Sequence, residues 1–158
     1  MNVSELFVPF PNSVKKIIYQ MSEVSVNYEG SFYVENDDIV SYGVCSLISF
    51  SGILKGRLLI DMEPQLALAI AQNINGTSFT SVKDEMVLAS ISELNNIIAG
   101  DGITEINNSM NLKLRLAPPI VFTGNSPIIC IPKISSQSLN CTTQYGKLKI
   151  NVAFERSR

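Results

Sequence analysis

An α+β fold, with helices packed on one face of a mainly antiparallel sheet, is predicted by two features of this 158-residue chain. Apolar residues recur at helical spacing in three segments, near 12–22, 63–75 and 81–110, and they alternate with polar residues across about 24–60 and beyond 112. The resulting order is helix, strands, two helices, strands, which differs from the strand–helix alternation of a parallel sheet. With 46% apolar residues there is enough to bury a core, so residues 1–158 are expected to form a single domain with two long helices on one sheet face.

The first helix is signalled by Pro11-Asn12-Ser13 and by Val14, Ile17, Ile18 and Met21 at helical spacing. Val24, Val26 and Tyr28 then alternate with Ser25, Asn27 and Glu29, and strand-like composition resumes from Ser31 to the turn at Glu35–Asp38. Val40, Tyr42, Val44, Ile48 and Phe50 share a second alternation, and a third strand over about 54–60 ends at Asp61. These strands read as an antiparallel meander over 24–60. Glu63-Pro64 opens the next helix, where a missing N–H costs nothing, and Asn75-Gly76 stops it.

Ser81 with Asp84 three residues later is a capping signal for the longest helix. Within it, at about 100° per residue, Val87, Ile91, Leu94 and Ile98 fall on one face and Glu93 and Asn96 on the opposite one, flanked by Ala89 and Gly100. The two glycines of Gly100-Asp101-Gly102 are costly in a helix interior, and Ile103, Ile106 and Met110 lie on a rotated face, so a kink or register change is expected there rather than a stop. Strands are expected at about 112–117, 120–123 after the Pro118-Pro119 break, 128–134, 140–144 and 147–155, with Ser135–Ser138 as a loop. In the last strand Leu148, Ile150, Val152 and Phe154 alternate with Lys149, Asn151 and Ala153, the pattern of one buried and one largely wet face.

Composition excludes several function classes. The 12 basic and 14 acidic residues, net −2, are scattered, which offers no grip on a phosphate backbone, so nucleic acid is not an expected partner. The N-terminus lacks a basic segment ahead of an apolar run, and no apolar stretch is long enough for a membrane helix; a cytoplasmic location without membrane contact is the expectation. Cys45, Cys130 and Cys141 form no CxxC pair and read as buried reduced thiols. Histidine is absent, which removes the usual general base and the commonest metal ligand. Asp37-Asp38 reads as a solvated turn rather than a metal site.

Glu93-x-x-Asn96, with 22 residues between Asn96 and Pro119, resembles the signature of the CheC/CheX phosphatases of bacterial chemotaxis. The likeness extends to the run Phe50 to Ile60, to Asn95-Asn96-Ile97-Ile98-Ala99-Gly100 and to Tyr145-Gly146-Lys147-Leu148, and together these span about residues 40–155. The single motif copy and the length are more like CheX than CheC. At the position four residues before the glutamate, where the family pattern has Asp or Ser, this chain has Ala89, with Ser90 one place off.

The resemblance implies a protein aspartyl-phosphate phosphatase acting on a CheY-like response regulator, and a homodimer built by sheet edges. The late strands at about 128–134 and 147–155 are apolar and little blunted by proline or lysine, so they are the edges expected to pair. An acyl phosphate hydrolyses unaided, so such an enzyme need only hold a water in line with phosphorus and complete the charge arrangement. An asparagine amide, neutral at any working pH, can accept a hydrogen bond from that water while its amino group donates elsewhere. The resemblance implies that Asn96 enters the regulator's active site and orients the water, that Glu93 pairs with a regulator lysine, that Ala89 and Gly100 permit close approach, and that Pro119 is a structural element. It implies no cofactor bound by this chain, the Mg2+ belonging to the regulator. From the residues alone, Asn96 and Glu93 read equally as ordinary solvated helix positions. A non-catalytic module that docks a receiver domain through the same helix is the alternative, and Ala89 favours it.

Overall fold

The computed structural model describes residues 4–129 and 136–156. In chain order its elements are α1 (Ser4–Phe7), α2 (Pro9–Ser22), β1 (Asn27–Glu35), β2 (Ile39–Val40), β3 (Val44–Ser51), β4 (Leu54–Met62), α3 (Pro64–Asn75), α4 (Glu85–Met110), β5 (Arg115–Leu116), β6 (Ile120–Thr123), β7 (Ile128–Ile129), β8 (Ser136–Thr143) and β9 (Gly146–Arg156). Local signals account for most boundaries. Proline occupies the start of both α2 and α3, where the N–H has no helical partner. α2 therefore starts at Pro9, ahead of the expected position at Asn12, and Pro11 still falls in its first turn. α3 ends where Gly76 takes a left-handed φ of 66° and donates its N–H to the Gln72 carbonyl.

The sheet order is β1-β8-β9-β4-β3-β5, with β6 also pairing β3, and every pair is antiparallel. This corrects the meander expected over 24–60. Within that stretch only β3 and β4 form a hairpin; β1 lies on the far side, joined to β8, with β8 and β9 between it and β4. Alternation reports which side of a strand is buried and not which strand lies beside it. β9 is likewise an interior strand, flanked by β8 and β4, so it offers no edge to a second copy. Of the strand expected at 128–134, the described part is β7, which pairs with β2 in a separate two-stranded ribbon.

The helices cover one sheet face. Val44, Ile48, Phe50, Leu58, Ile60, Met62, Ile150 and Val152 pack with Phe10, Val14 and Ile18 of α2, Leu66 and Ile70 of α3, and Ile91, Leu94 and Ile98 of α4 in one apolar cluster. The opposite face carries a second, smaller cluster in which Ile39 and Ile129 of the ribbon close over Cys45 and Leu59, with Leu47 and Phe122 at its margin. The wet face expected for β9 is therefore largely buried, since Asn151 and Ala153 are inaccessible. Ser136 and Ser138, expected in a loop, belong to β8 because their hydroxyls accept hydrogen bonds from Asn151 Nδ2 at 3.2 and 2.9 Å, and Ser138 donates to Glu35 at 2.7 Å.

Cys45 and Cys141 are buried free thiols, and Cys130 lies outside the described residues. Burial pushes the Cys141 thiol up to about 12 and moves Cys45 in the same direction. Among the described residues, no helix is long and apolar enough to cross a membrane.

Candidate functional site

α4 is the platform of the site. Its N-cap is Asp84, whose Oδ1 accepts from the Met86 N–H at 2.9 Å, so the helix begins at Glu85 rather than at Ser81. Ser81 instead caps the preceding turn by accepting from the Lys83 N–H. Val87, Ile91, Leu94 and Ile98 all point into the core, as their spacing predicts.

Two further contacts set the helix's rotation. Asn95 is 1% exposed, and its Nδ2 donates to Ser46 Oγ on β3 at 2.8 Å. A buried amide tied in this way resists rolling of the helix, because a turn in either direction would strand it without a partner. Ser90 faces inward too, donating to the Met86 carbonyl at 2.7 Å and accepting from Asn75 Nδ2 of α3 at 2.8 Å. Each next position along the helix is turned by about 100°, so with Asn95 inward, Asn96 is carried to the outer surface.

Ala89, Glu93, Asn96 and Gly100 accordingly line one outward stripe, with Ala89 and Glu93 exposed and Asn96 and Gly100 half-buried. Neither Glu93 nor Asn96 makes a side-chain hydrogen bond or ion pair among the described residues. The carboxylate and amide are one helical turn apart and uncommitted. Gly100 adjoins Leu116 of β5, since a Cβ built there would lie 3.7 Å from Leu116 Cδ1. Pro119 stands in the segment joining β5 to β6, two strands that both lie against α4. The expected stripe is thus assembled, with Pro119 on an adjoining connection.

The Gly100-Asp101-Gly102 run does not interrupt α4, which continues to Met110. Its residues serve helix packing. A Cβ at Gly102 would come within 2.8 Å of the Phe10 ring of α2, and Asp101 accepts from Ser13 at 2.6 Å and from Lys16 at 2.9 Å. Those two partners hold the Asp101 carboxyl below its ordinary range.

Sequence reasoning missed the anchor, Asn95–Ser46, although a signal was present: Ser46 is a polar interruption in the inward series Val44, Ile48, Phe50. It also missed Met86, which is 52% exposed one turn before Ala89 on the same side of the helix. The pockets bordered by Arg57, by Asp101 and by Asn73 contain neither Glu93 nor Asn96. What α4 presents here is a convex surface carrying one amide and one carboxylate, not a pocket.

Solved structures of the same fold span nearly the whole chain. A CheC-like superfamily protein from Shewanella sp. PV-4 is 26% identical with a TM-score of 0.88, covering 98% of this chain and 99% of that one. Chemotaxis protein CheX from Vibrio vulnificus is 24% identical with a TM-score of 0.87, covering 96% and 99%. The CheX of a CheX–CheY–BeF3–Mg2+ complex from Borrelia burgdorferi is 23% identical with a TM-score of 0.80, covering 95% and 97%. Comparison with curated protein sequences finds no match. The model of the family described as chemotaxis phosphatase CheX matches residues 44–142, the stretch that runs from the start of β3 through the motif helix into β8, and the chain belongs to that family.

Proposed function

We propose that this protein dephosphorylates the aspartyl phosphate of a CheY-like response regulator, with Asn96 orienting the attacking water and Glu93 pairing with a lysine of the regulator. The observation that carries this reading is the uncommitted Glu93/Asn96 pair on the outward stripe of α4, in a member of a phosphatase family. Held by the buried face of α4 and by Asn95, the Asn96 amide is positioned before it meets its partner, so little ordering remains to be done on binding. The Mg2+ of the reaction would be the regulator's, and this chain would add an amide for the water and a carboxylate for the lysine. The Borrelia complex named above, which contains CheY, lends support to a partner of this class.

The test is phosphate release from a chemically phosphorylated CheY-like receiver with Mg2+. Asn96→Ala is expected to keep the fold and lose about 10²-fold in rate, the usual cost of one positioning group. Full activity in that variant would remove Asn96 from the mechanism. One observation favours the second reading, a receiver-docking module without catalysis: Ala89 puts only a methyl on the stripe, and the neighbouring Ser90 hydroxyl is committed inward to Asn75 and Met86. Tight receiver binding with no accelerated release would establish it.

The homodimer is retained as part of the proposal, with a different edge. Among the described residues β1 pairs with β8 alone, and it exposes Tyr28, Tyr33 and Val34. A two-fold pairing of β1 strands would satisfy that edge and leave both α4 stripes free. Sedimentation is expected to give a dimer at micromolar concentration that Val34→Pro dissociates. A wild-type monomer under those conditions would sink it.

A further inference from the structure

Arg57 lies on the sheet face turned away from α4, and two of its three guanidinium nitrogens are cut off from water. It is 8% exposed, and among the described residues its Nε and Nη2 find no acceptor. Asp61, on the same face of β4, is already engaged by the Ser41 hydroxyl at 2.6 Å and the Tyr42 N–H at 2.8 Å. Burial moves the Arg57 guanidinium below its ordinary range, and the opposing influence is the Cys45 thiol rather than a carboxylate. A buried, unpaired guanidinium is unfavourable for folding, and its planar fork of donors is shaped for an oxyanion.

Arg57 borders a pocket of about 260 Å³ shared with Ser49, Ser51, Lys55 and Glu155. The strand register explains why these groups converge. Ser49 is opposite Arg57, Ser51 is opposite Lys55, and Lys55 is opposite Glu155, so all project on one side of neighbouring strands. Glu155 and Lys55 offset one another across the β4–β9 pair, which leaves the charge of Arg57 uncompensated. Ala117 also borders the pocket, and with the aliphatic stem of Lys55 it supplies an apolar wall. Its volume exceeds what a bare inorganic anion fills.

We propose that this pocket binds a small organic anion, a carboxylate or phosphate monoester, whose acidic group is taken by Arg57 with the Ser49 and Ser51 hydroxyls and Lys55, while its apolar body rests on Ala117 and the aliphatic stem of Lys55. The two orphaned nitrogens are closed to water as they stand, so engagement turns the flexible Arg57 stem toward the pocket and gives both donors an acceptor. The site is on the opposite side of the sheet from the Glu93/Asn96 stripe, so it stands or falls independently of the phosphatase reading.

The experiment is thermal unfolding of the full chain with phenyl phosphate, benzoate and inorganic phosphate, each against chloride at matched ionic strength. A saturable rise in Tm is expected with phenyl phosphate or benzoate, the stronger of the two identifying the acidic group, and a weaker one with inorganic phosphate. Arg57→Met is expected to fold at least as stably as the wild type, since an apolar isostere replaces an unpaired buried charge, and to lose affinity about tenfold or more. Lys55→Met, at an exposed position, is expected to lose up to about fivefold. In the wild type, the better ligand is expected to shift the amide resonances of Ser49, Ser51, Gly56 and Arg57 and to leave those of α4 unmoved. No saturable rise with any of the three probes, undiminished affinity in Arg57→Met, or shifts confined to other parts of the chain would overturn the proposal.

Discussion

The two faces of the sheet are built from different materials. Toward the helices, β3, β4 and β9 present an almost wholly apolar surface, and among the described residues the one side-chain hydrogen bond from these strands to α4 is Asn95–Ser46. On the other face Asp61, Arg57, Asn151, Ser136 and Ser138 are all buried, and the apolar cover is a small cluster around Ile39, Cys45, Leu59 and Ile129. An apolar interface holds a helix firmly without asking anything of its outer surface, so the stripe of α4 is left with no structural duty. A polar interface must pair each buried group, and where pairing fails, as at Arg57, a group remains with capacity to bind. One face therefore supports a site from behind, while the other contains its own unfinished chemistry.

Consecutive leucines offer the most forceful way to break this comparison. Leu58 and Leu59 are both inaccessible, yet Leu58 points into the large helix-side cluster and Leu59 into the small one beneath the ribbon. Leu58→Ala is expected to cost about 4 kcal/mol and Leu59→Ala about 2 kcal/mol, the upper and lower parts of the range for buried leucines, because a site with thinner cover can collapse around the lost volume. Urea unfolding of the two variants measures this. If Leu59→Ala proved the costlier, the second face would be as tightly packed as the first and the contrast between them would be wrong.

The helix-side face was largely legible from sequence, because its signals are local. Val87, Ile91, Leu94 and Ile98 declare a buried stripe by spacing alone, and that spacing also sends Glu93 and Asn96 outward. Pro64 and Gly76 bracket α3 by backbone chemistry that no neighbour can change. The second face was not legible, since its burial depends on a partner distant in sequence. Asn151 looks like a solvent position until Ser136 and Ser138 of β8 lie beside it, and Ser136 looks like a loop residue until Asn151 does the same for it. For the same reason β9 read as an unpaired edge, when only the register with both β8 and β4 shows it to be central. Of the site, Gly102 was read as a flaw in the helix because its reason, the Phe10 ring, belongs to another element.

The smallest expected effect concerns two carboxylates, one for each side of the comparison, that should respond to pH in opposite senses. On the second face burial raises the Asp61 carboxyl above its ordinary range, and the hydrogen bonds from Ser41 and Tyr42 offset this only in part. The folded chain then holds a proton that the unfolded chain has released, so this group's contribution is present at low pH and lost as pH rises through its folded value. On the helix side Asp101 is depressed by Lys16 and Ser13, so its contribution is present above the unfolded value and lost as pH falls through the folded one. Relative to the wild type, Asp61→Asn should therefore gain stability as pH rises from about 3 to about 7, and Asp101→Asn should lose it over the same interval. Any hydrogen-bond cost of either amide is independent of pH and drops out of the slope. Urea midpoints across that range decide it, and parallel slopes for the two variants would mean that the polar side of the sheet keeps Asp61 as well solvated as the helix surface keeps Asp101.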